Sequence, residues 1–335
     1  MKIADITLKN NLIFAPLAGF STPPVRRLMA QNGAGLTVTE MVSVKGLLFG
    51  SEKTAQLLLC AAEEAVKCVQ LFGSDPDEFY RVVSHPALLD FDIIDINMGC
   101  PVRKIVSNGE GSALISTPKL AAEIVKAAAA GIREADSGRE FKRAVTVKTR
   151  LGVSAPTEIL EFAPVIEEAG AAMLTLHGRT AKQMYTGAAD YSAVKAVKKL
   201  LKIPLCANGD VVDLDSYKRI RDTGCDAVML GRGALIDPSI FLKLAAADGA
   251  AAGENCAAAG ADSVAAAGGL DKKTLFMRLI DYMEKFYGAE DACIALRKFL
   301  PYILKGVRGG KELRQRMNFS TDLKVVRKGI ASCII

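Results

Sequence analysis

Eight short apolar runs, each ending near glycine, proline, asparagine or a charged residue, recur between residues 12 and 230 with amphipathic stretches between them. The runs are Leu12–Ala15, Leu36–Glu40, Val66–Phe72, Ile93–Met98, Ala144–Thr149, Met173–His177, Pro204–Ala207 and Ala227–Leu230. Runs of that length read as strands. The stretches between them, such as Pro23–Gln31, Pro118–Arg133, Thr157–Glu168, Tyr191–Leu201 and Leu214–Asp222, read as helices. The strands are continuously hydrophobic rather than alternating, which marks a parallel sheet covered on both faces. Asn32-Gly33-Ala34, Ala169-Gly170-Ala171 and Thr223-Gly224-Cys225 each close a helix just before a strand, where glycine takes the left-handed cap conformation at little cost. Eight alternations predict an α/β fold, a closed (β/α)8 TIM barrel over residues 1–244. An open doubly wound sheet is the alternative, disfavoured because no Gly-x-Gly-x-x-Gly turn follows the first run.

With 335 residues the chain exceeds a barrel of about 250 residues, leaving room for an appendage. Between residues 245 and 270, eighteen of twenty-six positions are Ala or Gly. The segment 245–271 is therefore expected to be a linker or insertion. From Lys272 the helical pattern resumes, with Leu275, Leu279, Ile280 and Met283 on one face and a second helix expected around Ala292–Leu304. Charge divides along the same boundary. Residues 272–335 hold fourteen Lys and Arg against six Asp and Glu, a balance of +8, so residues 1–271 carry −2 of the net +6. A small C-terminal helical domain of that sign suits a polyanionic partner, although solvated helices also carry such charge.

Several classes are disfavoured. The start of the chain lacks the pattern of a secretion signal and no apolar run reaches bilayer length, so a cytoplasmic protein with no membrane partner is expected. None of the eight cysteines forms a CxxC pair, and His85 and His177 are the only histidines, which argues against a disulfide framework and leaves no metal expected. No obligate protein partner is evident, and a monomer is expected.

A barrel of this kind carries its chemistry at the C-terminal ends of its strands. Those ends are unusually polar: Ala15-Pro16-Leu17-Ala18-Gly19, Gln70, Asn97-Met98-Gly99-Cys100-Pro101, Lys148-Thr149-Arg150, His177-Gly178-Arg179-Thr180, Asn208-Gly209-Asp210 and Gly231-Arg232. The last two follow strands seven and eight, where glycine amides and a cation commonly cradle a phosphate. Lys148 is placed to stabilise charge on a reduced flavin, Gln70 to pair with a pyrimidine-like edge, and His177 to donate to a flavin oxygen or phosphate. Each also has a plain reading as a strand-end polar residue. Cys100 sits on a Gly-Cys-Pro turn at the mouth, and an unperturbed thiol is protonated at neutral pH and can act as an acid. A buried core thiol is the ordinary alternative.

This ordered set of motifs, together with Gly111-Ser112-Ala113-Leu114, resembles the tRNA-dihydrouridine synthase family, in particular its bacterial B-type branch. The resemblance covers nearly the whole barrel. It implies FMN, reduced by NADPH, delivering hydride from N5 to C6 of a tRNA uridine while Cys100 protonates C5. It further implies that Pro16, Leu17, Ala18, Gln70, Lys148, His177, Asn208, Gly209, Asp210, Gly231 and Arg232 hold FMN. Arg103, Lys104 and Arg179 near the mouth, and Arg297, Lys298, Lys305, Arg308, Arg314 and Arg316 in the tail, are candidate contacts for tRNA. Two departures stand out: Leu17 replaces an expected methionine, and Arg297-Lys298-Phe299-Leu300-Pro301-Tyr302 only approximates the family's tail. The competing enzyme reading is a flavin barrel acting on a small molecule such as dihydroorotate or an enoate, which has no evident use for a basic tail. A non-enzymatic RNA-binding barrel is the remaining alternative.

Overall fold

The computed structural model describes residues 1–140, 142–248 and 271–334. A short antiparallel pair, β1 (Lys2–Ile3) and β2 (Ile6–Thr7), precedes eight barrel strands. These are β3 (Leu12–Phe14), β4 (Leu36–Ser43), β5 (Lys67–Phe72), β6 (Ile93–Met98), β7 (Ala144–Arg150), β8 (Leu174–His177), β9 (Leu205–Asn208) and β10 (Ala227–Leu230). Every neighbouring pair is parallel, and β10 pairs with β3 to close the barrel in sequence order. The predicted strands and helices agree with the observed ones to within three residues at each end. Gly33, Gly170 and Gly224 all have positive φ, as a left-handed helix cap requires. The N-terminal pair was not anticipated, because strands of two residues carry no periodicity.

The apolar residues divide into two cores. One lies outside the barrel wall, where β-strand side chains meet the surrounding helices. The other fills the lower interior with Ile13, Leu36, Val38, Ile93, Ala144, Met173 and Met229, and is stoppered by Ile3, Ile6 and Leu8 from the N-terminal pair. Above this apolar layer the inward positions turn polar. Gln70, Asp95 and Thr146 lie on one hydrogen-bonded rung, and Asn97, Lys148 and Thr175 on the rung two residues nearer the mouth. Because side chains alternate faces along a strand, Asp95 and Asn97 point inward together while Ile94, Ile96 and Met98 pack outward.

The tail is helical, as expected. Lys272–Tyr287 buries Leu275, Phe276, Leu279, Ile280 and Met283, and it packs on the helix Pro23–Gln31 of the barrel. The second expected helix is broken into Ala289–Leu296 and Leu300–Ile303, because Pro301 has no N–H to donate and sits in the first turn of a new helix. Gly310–Met317 and Leu323–Cys333 complete the bundle. Barrel exterior and tail share one continuous core. The helix Ile240–Ala247 extends three residues into the segment expected as linker, and residues 249–270 lie outside the described residues. Among the described residues no helix is long and apolar enough to cross a membrane, and no cluster of His, Cys, Asp and Glu could hold a metal ion.

Candidate active site

The polar rungs form the floor of the mouth. Gln70 Nε2 donates to Asp95 Oδ2 at 2.7 Å, and Thr146 Oγ1 donates to Asp95 Oδ1, also at 2.7 Å. Asn97 Nδ2 donates to Gln70 Oε1 at 2.8 Å. Lys148 projects beside this network. Its ammonium makes no hydrogen bond or ion pair with the described residues, and desolvation, assisted by nearby Arg150, lowers its pKa to about 8. Desolvation also raises the Asp95 pKa, while Gln70, Thr146 and Lys148 oppose that rise by favouring the carboxylate.

Cys100 is held by a turn with several anchors. Asn97 Oδ1 accepts from the N–H groups of Gly99 and Cys100 at 3.1 and 2.9 Å. Arg150 Nε donates to the Gly99 carbonyl, and its Nη1 donates to the carbonyls of Thr180 and Met184. The Cys100 carbonyl accepts from Ser112 N–H. The thiol is half-buried, and burial raises its pKa against the opposing pull of Val102 N–H, Arg150 and Lys148. It is therefore a thiol rather than a thiolate at neutral pH, the protonation state an acid needs.

The far wall holds the residues of the β9 and β10 loops that were expected to cradle a phosphate. Asn208 ends β9 and donates to the Met229 carbonyl of β10, tying the two loops together. Gly209, with φ near +135°, passes so close to Ala189 that an added Cβ would lie 2.8 Å from that methyl. At Gly231 an added Cβ would meet Leu17 and Ala15 at 3.7 and 3.8 Å, ordinary van der Waals contact. Arg232 is exposed beside it. Pro16 and Leu17 are half-buried and Ala18 exposed on the loop after β3. His177 is buried, and desolvation with four surrounding cations lowers its pKa to about 2. It is neutral throughout the working range. Arg179 can only donate, so its contact of 3.4 Å with His177 Nε2 places the ring proton on Nδ1.

Two expectations need correction here. Arg179 does not face RNA: it is 2% exposed, and its Nη2 grips both carboxylate oxygens of Asp210 at 2.7 and 2.8 Å. Asp210 in turn accepts from Ala189 N–H and lies 3.7 Å from Arg232, so its carboxylate serves as scaffold. Arg297 likewise turns inward to donate to the Ser320 carbonyl, and its Nε is buried. Lys298 stands over Phe20 at the junction with the barrel, where Phe20 also packs edge-on against Phe299 and Tyr302. Arg103, Lys104, Lys305, Arg308 and Arg316 are exposed, and Arg314 is half-buried.

Sequence reasoning passed over Asp95, Arg150 as an anchor of the Cys100 turn, and Tyr185. Tyr185 is an exposed ring at the mouth with the guanidinium groups of Arg232 and Arg150 at 5.1 and 5.7 Å from its centre. The missed signal for Asp95 is its two-residue spacing from Asn97 in a strand whose other face is apolar. Arg150 had the same signal, two residues beyond Lys148.

Comparison with known proteins adds three findings. The family model described as Dihydrouridine synthase (Dus) matches residues 13–333. The tRNA-dihydrouridine synthase B of Pasteurella multocida is 34% identical over 327 residues, covering 97% of this chain and 92% of that protein. Its counterpart in Vibrio parahaemolyticus is 38% identical over 246 residues, covering 73% and 74%. Among solved structures, the old yellow enzyme homologue of Zymomonas mobilis superposes with a TM-score of 0.53 at 15% identity, over 74% of this chain and 91% of that one. Histamine dehydrogenase of Rhizobium sp. 4-9 gives 0.57 at 15% identity over 92% of this chain, which spans only 53% of that larger protein. At such identities these two likenesses are of fold alone.

Proposed function

The chain belongs to the dihydrouridine synthase family, and from that premise we propose that it reduces uridines of tRNA at the barrel mouth, with FMN as cofactor and NADPH as reductant. The observation that carries this reading is Lys148: a desolvated ammonium with no acceptor of its own, on the floor of the mouth and flanked by the phosphate cradle and the Cys100 turn. A half-buried, desolvated cation with no hydrogen-bond acceptor is costly unless a ligand supplies one. An isoalloxazine does so, since negative charge gathers near its N1 and O2 on reduction.

The surrounding residues fit such a group. Gly209, Gly231 and Arg232 receive the phosphate, with Asn208 and Asp210 fixing their loops, and neutral His177 offers a proton donor on Nδ1. Gln70, sealed beneath the mouth, supports the site by holding Asn97 in place. Pro16, Leu17 and Ala18 cover the ring. Bound there, FMN would supply hydride from N5 to C6 of uracil and be recharged by NADPH. Cys100 holds the proton for C5 on its thiol, which yields dihydrouridine and a thiolate that solvent reprotonates. The basic tail, a part of the same chain from residue 272, brings tRNA to the mouth. The protein acts as a cytoplasmic monomer without another protein.

The test is turnover by the purified full chain supplied with FMN, NADPH and an unmodified tRNA transcript. Dihydrouridine should appear in the transcript in step with NADPH oxidation. A protein that cannot be loaded with FMN, or that reduces no uridine when loaded, overturns the reading.

A further inference from the structure

We propose that Asp95 is a positioning residue that sets the direction of a hydrogen-bond chain from the barrel floor to the Cys100 turn, locking the cofactor side and the proton-donor side of the mouth into one unit. The proposal rests on the reading of Cys100 as the proton donor, but its geometry stands alone. An ionised carboxylate only accepts hydrogen bonds. Gln70 must therefore turn its NH2 toward Asp95, as observed at 2.7 Å, and this leaves its carbonyl facing Asn97. Asn97 must then turn its own NH2 toward that carbonyl, which directs its Oδ1 to the N–H groups of Gly99 and Cys100. Those backbone groups can only donate, so both ends of the chain demand the same sense. Each amide has one orientation that satisfies both neighbours, and a flip of either would set like atoms face to face.

Burial makes this direction firm. Asp95 is 3% exposed and Gln70 1%, so water cannot substitute for a lost partner. Thr146 completes the carboxylate's shell by donating to its other oxygen. Asp95 touches neither the mouth's surface nor the thiol. Its hydrogen bonds reach the Cys100 turn through Gln70 and Asn97, while its charge also acts on Lys148, which faces Cys100 in turn; Asp95→Asn and Asp95→Ala lose that charge alike, so the difference between them isolates the hydrogen-bond chain.

The experiment follows alkylation of Cys100 by iodoacetamide in the full chain, read by mass spectrometry of the Cys100 peptide against the Cys60 peptide, which lies outside the chain of hydrogen bonds. In Asp95→Ala the turn loses its anchor, and Cys100 labelling should quicken roughly 5- to 10-fold, the worth of about one buried hydrogen bond, with Cys60 unchanged. Asp95→Asn can still offer its Oδ1 to Gln70 while its NH2 faces the Thr146 hydroxyl, so it should label within about twofold of wild type. If Asp95→Ala fails to fold, Gln70→Leu interrupts the same chain one link higher and should quicken Cys100 labelling in the same way. Wild-type labelling in Asp95→Ala, or in Gln70→Leu, overturns the proposal. So does an Asp95→Asn rate as fast as that of Asp95→Ala. Because labelling needs neither flavin nor tRNA, a failure here is distinguishable from a failure of the proposed reaction.

Discussion

The mouth of the barrel and the tail behind it both hold many ionisable side chains, but they use them in opposite ways. At the mouth most charges are enclosed and assigned, Arg179 to Asp210, Arg150 to three carbonyls, and Asp95 to Gln70 and Thr146, with Lys148 left for a ligand and Arg232 exposed at the rim. In the tail, among the described residues, Lys305, Arg308 and Arg316 are exposed and enter no ion pair, whereas Arg327 is paired with Asp281 and Glu284. Enclosed groups act through position and low dielectric, and an ångström of displacement alters them. Exposed groups act through the summed field, which salt screens and single substitutions only trim. The contrast assigns chemistry to the first region and capture of a polyanion to the second.

The sharpest way to break this division is Cys100→Ala. Loss of a positioned general acid should lower uridine reduction by about 10²–10⁴-fold while tRNA affinity and NADPH oxidation by the flavin stay close to wild type. Quenched-flow assay of dihydrouridine beside a filter-binding assay separates the two, and a comparable loss of tRNA affinity would dissolve the contrast. Next in size is salt. With Arg179 and Arg297 engaged internally, seven of the nine candidate cations remain, and if about four or five of them meet phosphate at once, tRNA affinity should fall roughly 10²–10³-fold between 50 and 200 mM salt. Changing Lys305, Arg308 and Arg316 together to Ala should flatten the log–log slope by about three without altering flavin content. Substitution is preferable to truncation, because the tail shares its core with the barrel.

A smaller effect sharpens the account of the mouth. Lys148→Met keeps the volume but removes the cation, so FMN should dissociate about tenfold more readily, as fluorescence titration would record. The same change should raise the melting temperature of the flavin-free protein, since an unpartnered desolvated charge is removed. The least effect is on pH. Lys148 is charged below its pKa of about 8, so FMN affinity should decline a few-fold as pH rises from 7 to 9, and Lys148→Met should abolish that decline. His177, with its pKa lowered to about 2, should contribute no inflection near 6.5.

Much of this was legible from the amino acids. Strands such as Ile93–Met98 and Ala227–Leu230 were found to the residue because continuous apolar runs bounded by turn residues have few other fates. The strand-end positions of Gln70, Lys148, His177 and Arg232 followed from counting alternations. Pairing across the fold was not legible. Arg179 resembled a free cation because Asp210 lies thirty-one residues away and meets it only after β8 and β9 are laid side by side. Asp95 was passed over because a carboxylate inside an apolar run gains its meaning from neighbours on β5 and β7, which no local pattern names.

The stopper formed by Ile3, Ile6 and Leu8 has a consequence for the other end of the molecule. Water that entered from below would hydrate Asp95 and Lys148 from underneath, and the local dielectric that sets their proton affinities would rise. Lys148 would regain its ordinary basicity and Asp95 its ordinary acidity, with every residue of the mouth unchanged. A substitution such as Ile6→Ala, made at the base of the barrel, is therefore a substitution in the electrostatic environment of the reaction.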